Sequence, residues 1–251
     1  MSPPSKGSRI AFFGGSFDPP HLGHLAVARA AQAALGLDTV LFAPVGAQPL
    51  KPVGSTAGFD DRVAMTRLAI AGEAGFRISL ADAPKPSGVP NYTLETLQNL
   101  RKELAPGCAL YCLMGADSFV GLRRWYRTAE IPFVAPLIVA SRPGQPLEDL
   151  KALLPPGLTM EPATASEMAE ANVDRADVEV RRYSLLSNTG NWAGQRTPFY
   201  LLPGLDVEIS ASRIREKARA QAQDAGGSYL VGHELVPDAV SDYIQRRGLY
   251  R

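Results

Sequence analysis

The hydrophobic positions of this chain fall into short runs separated by glycine-rich and polar punctuation. Arg9 to Phe13 (Arg-Ile-Ala-Phe-Phe) is apolar and stops at Gly14-Gly15, the pattern of a strand buried on both faces. From His24, residues Leu25, Ala26, Ala28, Ala30, Ala31, Ala33, Ala34 and Leu35 form an apolar helical stretch that Gly36 terminates,. Thr39 to Ala43 is a second buried strand. Strand, glycine loop, helix and strand make one βαβ unit, and a series of such units implies a parallel sheet.

The rhythm continues. Asp60 to Ala71 has helical spacing at Val63, Met65, Leu68 and Ile70, and Phe76 to Leu80 reads as a strand. Thr93 to Leu104 is helical, Ala109 to Met114 is a strand ending at Gly115, and Ser118 to Arg124 opens a short helix. Pro136 to Ala140 is a strand, Ser141 to Gly144 turns, and Leu147 to Leu154 is a helix bounded by Pro155-Pro156. The expected fold class is therefore α/β: a Rossmann-like, doubly wound parallel sheet.

From Pro162 to Gly204 the pattern breaks. Thr164 to Ala176 is rich in alanine and glutamate, and Ser187 to Gly194 is turn-like. This stretch is expected to be an insertion or excursion, since long structureless loops are unusual inside compact domains. A strand is expected to resume at Leu205 to Ile209, followed by a helix over Ser212 to Ala222 and another over Pro237 to Arg247. Residues 1–8 are expected to form a flexible tail, with residues 9–251 making a single domain that ends in a helical part.

Composition narrows the function classes. Of 251 residues, 45% are hydrophobic, enough for a sizeable core,. The net charge of +1 argues against the broad basic face that nucleic-acid binding needs, while leaving room for a local anion site,. Cys108 and Cys112 lie four apart beside an apolar run, with no histidine near them in sequence. Two small buried hydrophobes are expected rather than a zinc site or a disulfide, in keeping with a reducing, cytoplasmic setting. Met1 to Ser8 has no apolar stretch to serve as a signal peptide, and no run of about 20 apolar residues spans a membrane.

The chemistry is concentrated in Gly14-Gly15-Ser16-Phe17-Asp18-Pro19-Pro20-His21-Leu22-Gly23-His24, between the first strand and the first helix. Two glycines allow close backbone approach to a ligand. The helix start supplies free N–H groups and the positive end of a dipole, so the loop suits an anion. His21 and His24, two of only three histidines, are three apart and share a helical face,. Two imidazoles there suit a phosphate whose charge grows in a transition state; each could instead simply bond a backbone carbonyl. The loop has neither the Gly-Lys-Ser/Thr of a P-loop nor Gly-x-Gly-x-x-Gly, which weakens an ATPase or NAD-dependent redox reading.

These residues resemble the signature of the His-x-Gly-His nucleotidyltransferase superfamily, and within it the nicotinate-nucleotide adenylyltransferases. A second motif of that family, Ile-Ser-[Ser/Ala]-[Ser/Thr]-x-Ile-Arg, is matched by Ile209-Ser210-Ala211-Ser212-Arg213-Ile214-Arg215. Serines at a helix start also serve as plain caps. Further landmarks follow in family order: Pro44, Pro49 and Lys51; Asp61-Arg62 and Met65; Asn91-Tyr92-Thr93 with Thr96-Leu97; Gly115-Ala116-Asp117-Ser118; Leu122 with Trp125-Tyr126; Ser141 to Gly144; and the close from Pro237 to Tyr250. The departure is 162–204, longer than the family usually carries.

The resemblance implies transfer of the adenylyl group of ATP to nicotinate mononucleotide, giving nicotinate adenine dinucleotide and pyrophosphate, with Mg2+ accompanying ATP and no protein metal site. It implies His21 and His24 as catalytic residues. The ATP site would include Gly14, Gly15, Ser16, Phe17, His21, His24, Gly115, Asp117, Ile209, Ser210, Ser212 and Arg215. The mononucleotide site would comprise Lys51, Thr93, Asp117, Trp125 and Tyr126. Trp125 would stack on the pyridine ring, although a tryptophan is often only packing, and Asp117 reads equally as a helix cap. Rival readings are a nicotinamide mononucleotide or phosphopantetheine adenylyltransferase, or a non-catalytic nucleotide sensor on the same fold. Assembly into a homo-oligomer is compatible with the chain.

Overall fold

The structure is a computed structural model that describes residues 7–50, 54–141, 147–164, 179–205, 209–224 and 234–251. In chain order the elements are β1 (Arg9–Gly15), α1 (Leu22–Leu35), β2 (Thr39–Pro44), α2 (Phe59–Ala69), β3 (Phe76–Ile78), α3 (Thr93–Glu103), β4 (Ala109–Gly115) and α4 (Ala116–Val120). They continue as α5 (Ile131–Val134), β5 (Leu137–Ala140), α6 (Leu147–Ala152), β6 (Leu158–Pro162), β7 (Arg181–Ser187), β8 (Arg196–Leu202), α7 (Ala211–Asp224) and α8 (Asp238–Arg247). The strands form one sheet in the order β3-β2-β1-β4-β5-β8-β7-β6. The order reverses at β1, and in such sheets ligands bind beyond the carboxyl end of the strand at that reversal.

The chain divides into two compact units, one comprising residues 1–13, 27–41 and 92–206, the other 14–26, 42–91 and 207–251. In the first unit β4 runs parallel to β1, with Phe12 opposite Cys112, and parallel to β5, with Leu113 opposite Ile138. Leu110, Cys112, Leu113 and Met114 are all buried, as a strand covered on both faces requires,. The cysteines are buried free thiols. In the second unit α2, α7 and α8 supply one core: Met65, Ala69, Ile214, Ala218, Val240 and Ile244, joined by Ala57, Val236 and Tyr250.

From β1 to α6 the expected elements are found to within a few residues, and the one-turn α5 was not among them. The stretch from 162 to 204 differs. It holds β7 and β8, and β8 is a core strand: Phe199 and Leu202 are fully buried, and Leu137 to Ala140 pair in parallel with Phe199 to Leu202. Of the strand expected at Leu205 to Ile209, residues 206–208 lie outside the described residues; the run Phe199-Tyr200-Leu201-Leu202 that rejoins the sheet ends before Pro203 and Gly204. β6, β7 and β8 form an antiparallel ribbon. The Ala/Glu-rich part from 165 to 178 and the turn at 142–144 lie outside the described residues. Ser8, read as tail, is buried, and its carbonyl accepts from the N–H of Ala109 at 2.8 Å. No helix among the described residues is long and apolar enough to cross a membrane.

Candidate active site

The glycine loop leaves β1 and reaches α1 through a turn in which Asp18-Pro19 is cis and Phe17 has φ of 47°. A Cβ on Gly15 would lie 3.2 Å from the Phe17 ring, so a larger residue there would push the ring by a few tenths of an ångström. His21 caps α1 and His24 sits three residues on. The His21 N–H donates to Nδ1 of His24 at 3.1 Å, the reciprocal half of a capping box with an imidazole in place of the usual glutamate,. The two rings stack with centroids 3.7 Å apart, and Phe17 meets His24 edge-on at 4.9 Å.

That bond fixes chemistry. Nδ1 of His24 accepts, so its proton resides on Nε2, which is a donor in the neutral ring. Burial holds the His24 imidazole well below its usual range, and neighbouring His21 adds to the effect. Burial likewise lowers His21 to about 4. Its Nδ1 is buried and has no hydrogen-bond partner among the described residues. At neutral pH the pair is thus two uncharged rings in a strand-to-helix turn, able to donate to an anion without bringing a counter-charge.

The loop is held by residues read from sequence as landmarks, Arg62 and Tyr250, and by residues of the second motif. Arg62 is 2% exposed, and it donates to the carbonyls of Ser16 (2.7 Å), Val45 (2.8 Å) and Ala57 (3.2 Å). The Asp18 carboxylate accepts from the N–H groups of Thr56 (2.6 Å) and Ala57 (3.0 Å) and from the Tyr250 hydroxyl (2.8 Å). Arg215 donates to the Asp18 carbonyl at 2.7 Å and to Ser212 Oγ at 3.1 Å. Ser210 is the N-cap of α7, its Oγ accepting from the N–H of Arg213 at 3.3 Å,. Ile209 packs on the helical core of this unit. Ser16 Oγ lies 3.4 Å from Gln48 Oε1. The second unit thus gathers Ser16, Phe17, His21, His24, Ser212 and Arg215 of the expected ATP residues around one loop; Lys51 lies outside the described residues.

The remaining expected residues belong to the first unit. Thr93 is the first residue of α3, where backbone N–H groups have no carbonyl inside the helix to meet,. Tyr92, just before it, packs on Tyr126 with ring centroids 4.7 Å apart, which brings Thr93 near the Trp125-Tyr126 segment. Trp125 lines a cleft of about 280 Å³ with Arg127, Glu130, Thr189, Asn191 and Trp192. Trp192 was not expected there; it lies in the 162–204 stretch and is stacked on Phe133 at 5.3 Å. Gly115 is the N-cap of α4 and Asp117 follows two residues later, exposed, so Asp117 is not the cap.

Comparison with known proteins shows the family. Residues 12–217 match the model of the cytidylyltransferase-like family. A probable nicotinate-nucleotide adenylyltransferase of Gloeobacter violaceus is 36% identical over 245 residues, covering 97% of both chains. The chain belongs to the nicotinate-nucleotide adenylyltransferase family. Another member, from Laribacter hongkongensis, is 38% identical over 96% of this chain and 94% of its own. A solved structure of the Plasmodium falciparum nicotinic acid mononucleotide adenylyltransferase, complexed with NaAD, shares the fold at a TM-score of 0.59, 16% identity and 97% coverage of both chains.

Proposed function

We propose that this protein transfers the adenylyl group of ATP to nicotinate mononucleotide, forming nicotinate adenine dinucleotide and releasing pyrophosphate for NAD biosynthesis. The observation that carries the reading is the pair of neutral, stacked imidazoles of His21 and His24 at the start of α1, with Arg215 tied to the same loop. A phosphate oxygen of the mononucleotide attacks the α-phosphorus, and the bond from that phosphorus to the β-phosphate bridging oxygen breaks. No enzyme nucleophile takes part; the protein supplies position and charge stabilisation. His21 and His24 donate N–H to oxygens of the α-phosphate as negative charge spreads over them. Arg215 and the Ser210 and Ser212 region hold the other phosphates.

Mg2+ enters as part of the nucleotide substrate. The ion would be held mainly by phosphate oxygens and water, as suits a hard cation that dehydrates reluctantly. Trp125 stacks on the pyridine ring, while the amides of Thr93 and Tyr126 read its carboxylate and Asp117 contacts a ribose. The buried thiols Cys108 and Cys112 support a reducing, cytoplasmic setting,.

The test is pyrophosphate release from ATP with nicotinate mononucleotide, nicotinamide mononucleotide or phosphopantetheine as acceptor. Release with the nicotinate form, and a dinucleotide product of matching mass, is expected. Release only with phosphopantetheine, or with no acceptor, would overturn the assignment.

A further inference from the structure

Tyr250 stands out in its surroundings. It is 5% exposed, and its backbone has φ of 65°, a left-handed conformation that bulky residues avoid,. Such a conformation persists only where the neighbourhood over-determines it, and it clusters where geometry serves function. Here Gly248, also left-handed, closes α8 by donating to the Gln245 carbonyl at 3.1 Å, and Leu249 donates to Ile244 at 3.0 Å,. The reversal sends Tyr250 back into the core, where its hydroxyl meets Asp18 Oδ1 at 2.8 Å and lies 4.0 Å from Met65 Sδ.

Asp18 is the junction. Its carboxylate is 4% exposed and accepts three bonds, from Thr56, Ala57 and Tyr250. Its carbonyl accepts from Arg215, and three residues on comes His21, whose N–H holds the His24 ring. A movement of Asp18 therefore displaces the anchor of Arg215 and the start of the turn that carries both imidazoles. Of the three donors on the carboxylate, Tyr250 supplies the only side chain; the others are amides of one loop.

We propose that Tyr250 is a positioning residue for adenylyl transfer, its hydroxyl fixing Asp18 and through it the registry of His21, His24 and Arg215. This rests on the adenylyl-transfer reading above. A catalytic group displaced by a fraction of an ångström loses rate more than ground-state affinity.

The test uses the full chain, at a temperature well below unfolding. Tyr250→Phe should lower kcat about tenfold, with KM for ATP within about twofold and the histidine imidazole NMR signals of His21 and His24 displaced in the ligand-free protein. Tyr243→Phe, which removes another phenol–carboxylate bond from α8 (to Asp61, 2.8 Å), should keep wild-type kcat and imidazole signals. Urea unfolding at the assay temperature gives the folded fraction of Tyr250→Phe, so that kcat is read per folded molecule even where the variant folds poorly. An unchanged kcat per folded molecule with unchanged imidazole signals in Tyr250→Phe would show a purely structural role and sink the proposal. Failure of the wild type to form any dinucleotide would overturn the function instead, and the imidazole signals would still decide the positioning claim.

Discussion

Nη1 of Arg62 donates to the carbonyl of Ser16 at 2.7 Å, across 46 residues of sequence. With the bonds to Val45 and Ala57, one planar guanidinium holds the glycine loop and two flanking segments in a fixed geometry,. Burial lowers the Arg62 pKa, and the Asp18 charge opposes that effect. Arg62→Met should destabilise the protein by about 3–5 kcal/mol, because three carbonyls lose their donor and Asp18 loses a nearby positive charge. Urea unfolding measures it; a change below about 1 kcal/mol would mean that water replaces the guanidinium.

His24 does two jobs that substitution separates. Glutamine can accept the His21 N–H as capping boxes ordinarily do, whereas leucine cannot,. His24→Gln should stay within about 0.5 kcal/mol of wild-type stability and His24→Leu should lose about 1 kcal/mol. Both should lower kcat about a hundredfold, and His21→Ala should do likewise. Wild-type turnover in His24→Leu would remove the imidazole from the chemistry.

The histidines also set a pH dependence. His21 has a folded pKa of about 4 against 6.5 for the free side chain. The unfolded chain therefore takes up a proton first as pH falls. Stability is undiminished above pH 6.5, declines between pH 6.5 and about 4, and levels off below, at a loss on the order of 3 kcal/mol from this residue,. His24 shifts in the same direction. The difference in unfolding free energy between wild type and His21→Asn should shrink by roughly 2.4 kcal/mol from pH 7 to pH 4.5,; a constant difference would contradict a buried neutral ring.

Acceptor choice should follow from donors. The Thr93 amide opens α3, and Tyr126 lies beside Trp125. N–H groups suit a carboxylate that accepts on both oxygens, while an amide presents its own NH₂ to them, a mismatch of roughly 1–3 kcal/mol. The expected preference for nicotinate over nicotinamide mononucleotide is at least about tenfold in kcat/KM. Trp125→Ala should raise KM for both pyridine substrates and leave KM for ATP nearly unchanged. Equal kcat/KM for acid and amide would remove the specificity claim alone.

Sequence reading succeeded where a strand is buried on both faces. Arg9 to Phe13, Thr39 to Ala43 and Ala109 to Met114 are continuous apolar runs, and each is a strand. β7 (Arg-Arg-Tyr-Ser-Leu-Leu-Ser) mixes polar and apolar residues because it lies in the antiparallel ribbon, so its period is weak,. β6 alternates buried and exposed along Leu158, Thr159, Met160 and Glu161, a signal that was present but short. In the candidate site, the motifs pointed to His21, His24 and Arg215, each carried within a short run of sequence; the structure brings Arg215 to the Asp18 carbonyl of the first motif. Arg62 and Tyr250 act on carbonyls and a carboxylate brought near only by folding, and no local pattern encodes such partners. Trp192 was hidden for the same reason.

The bonds that steady the histidine turn are among the longest-range in the chain: Arg215 to Asp18 spans 197 residues and Tyr250 to Asp18 spans 232. During synthesis the loop therefore emerges from the ribosome long before its latches do. Loop-closure entropy must be met before those contacts reward it. A nascent or prematurely terminated chain can hold the motif and the sheet strands around it and still lack a set turn. The final set of the histidine turn thus arrives late, after residue 250 has been made.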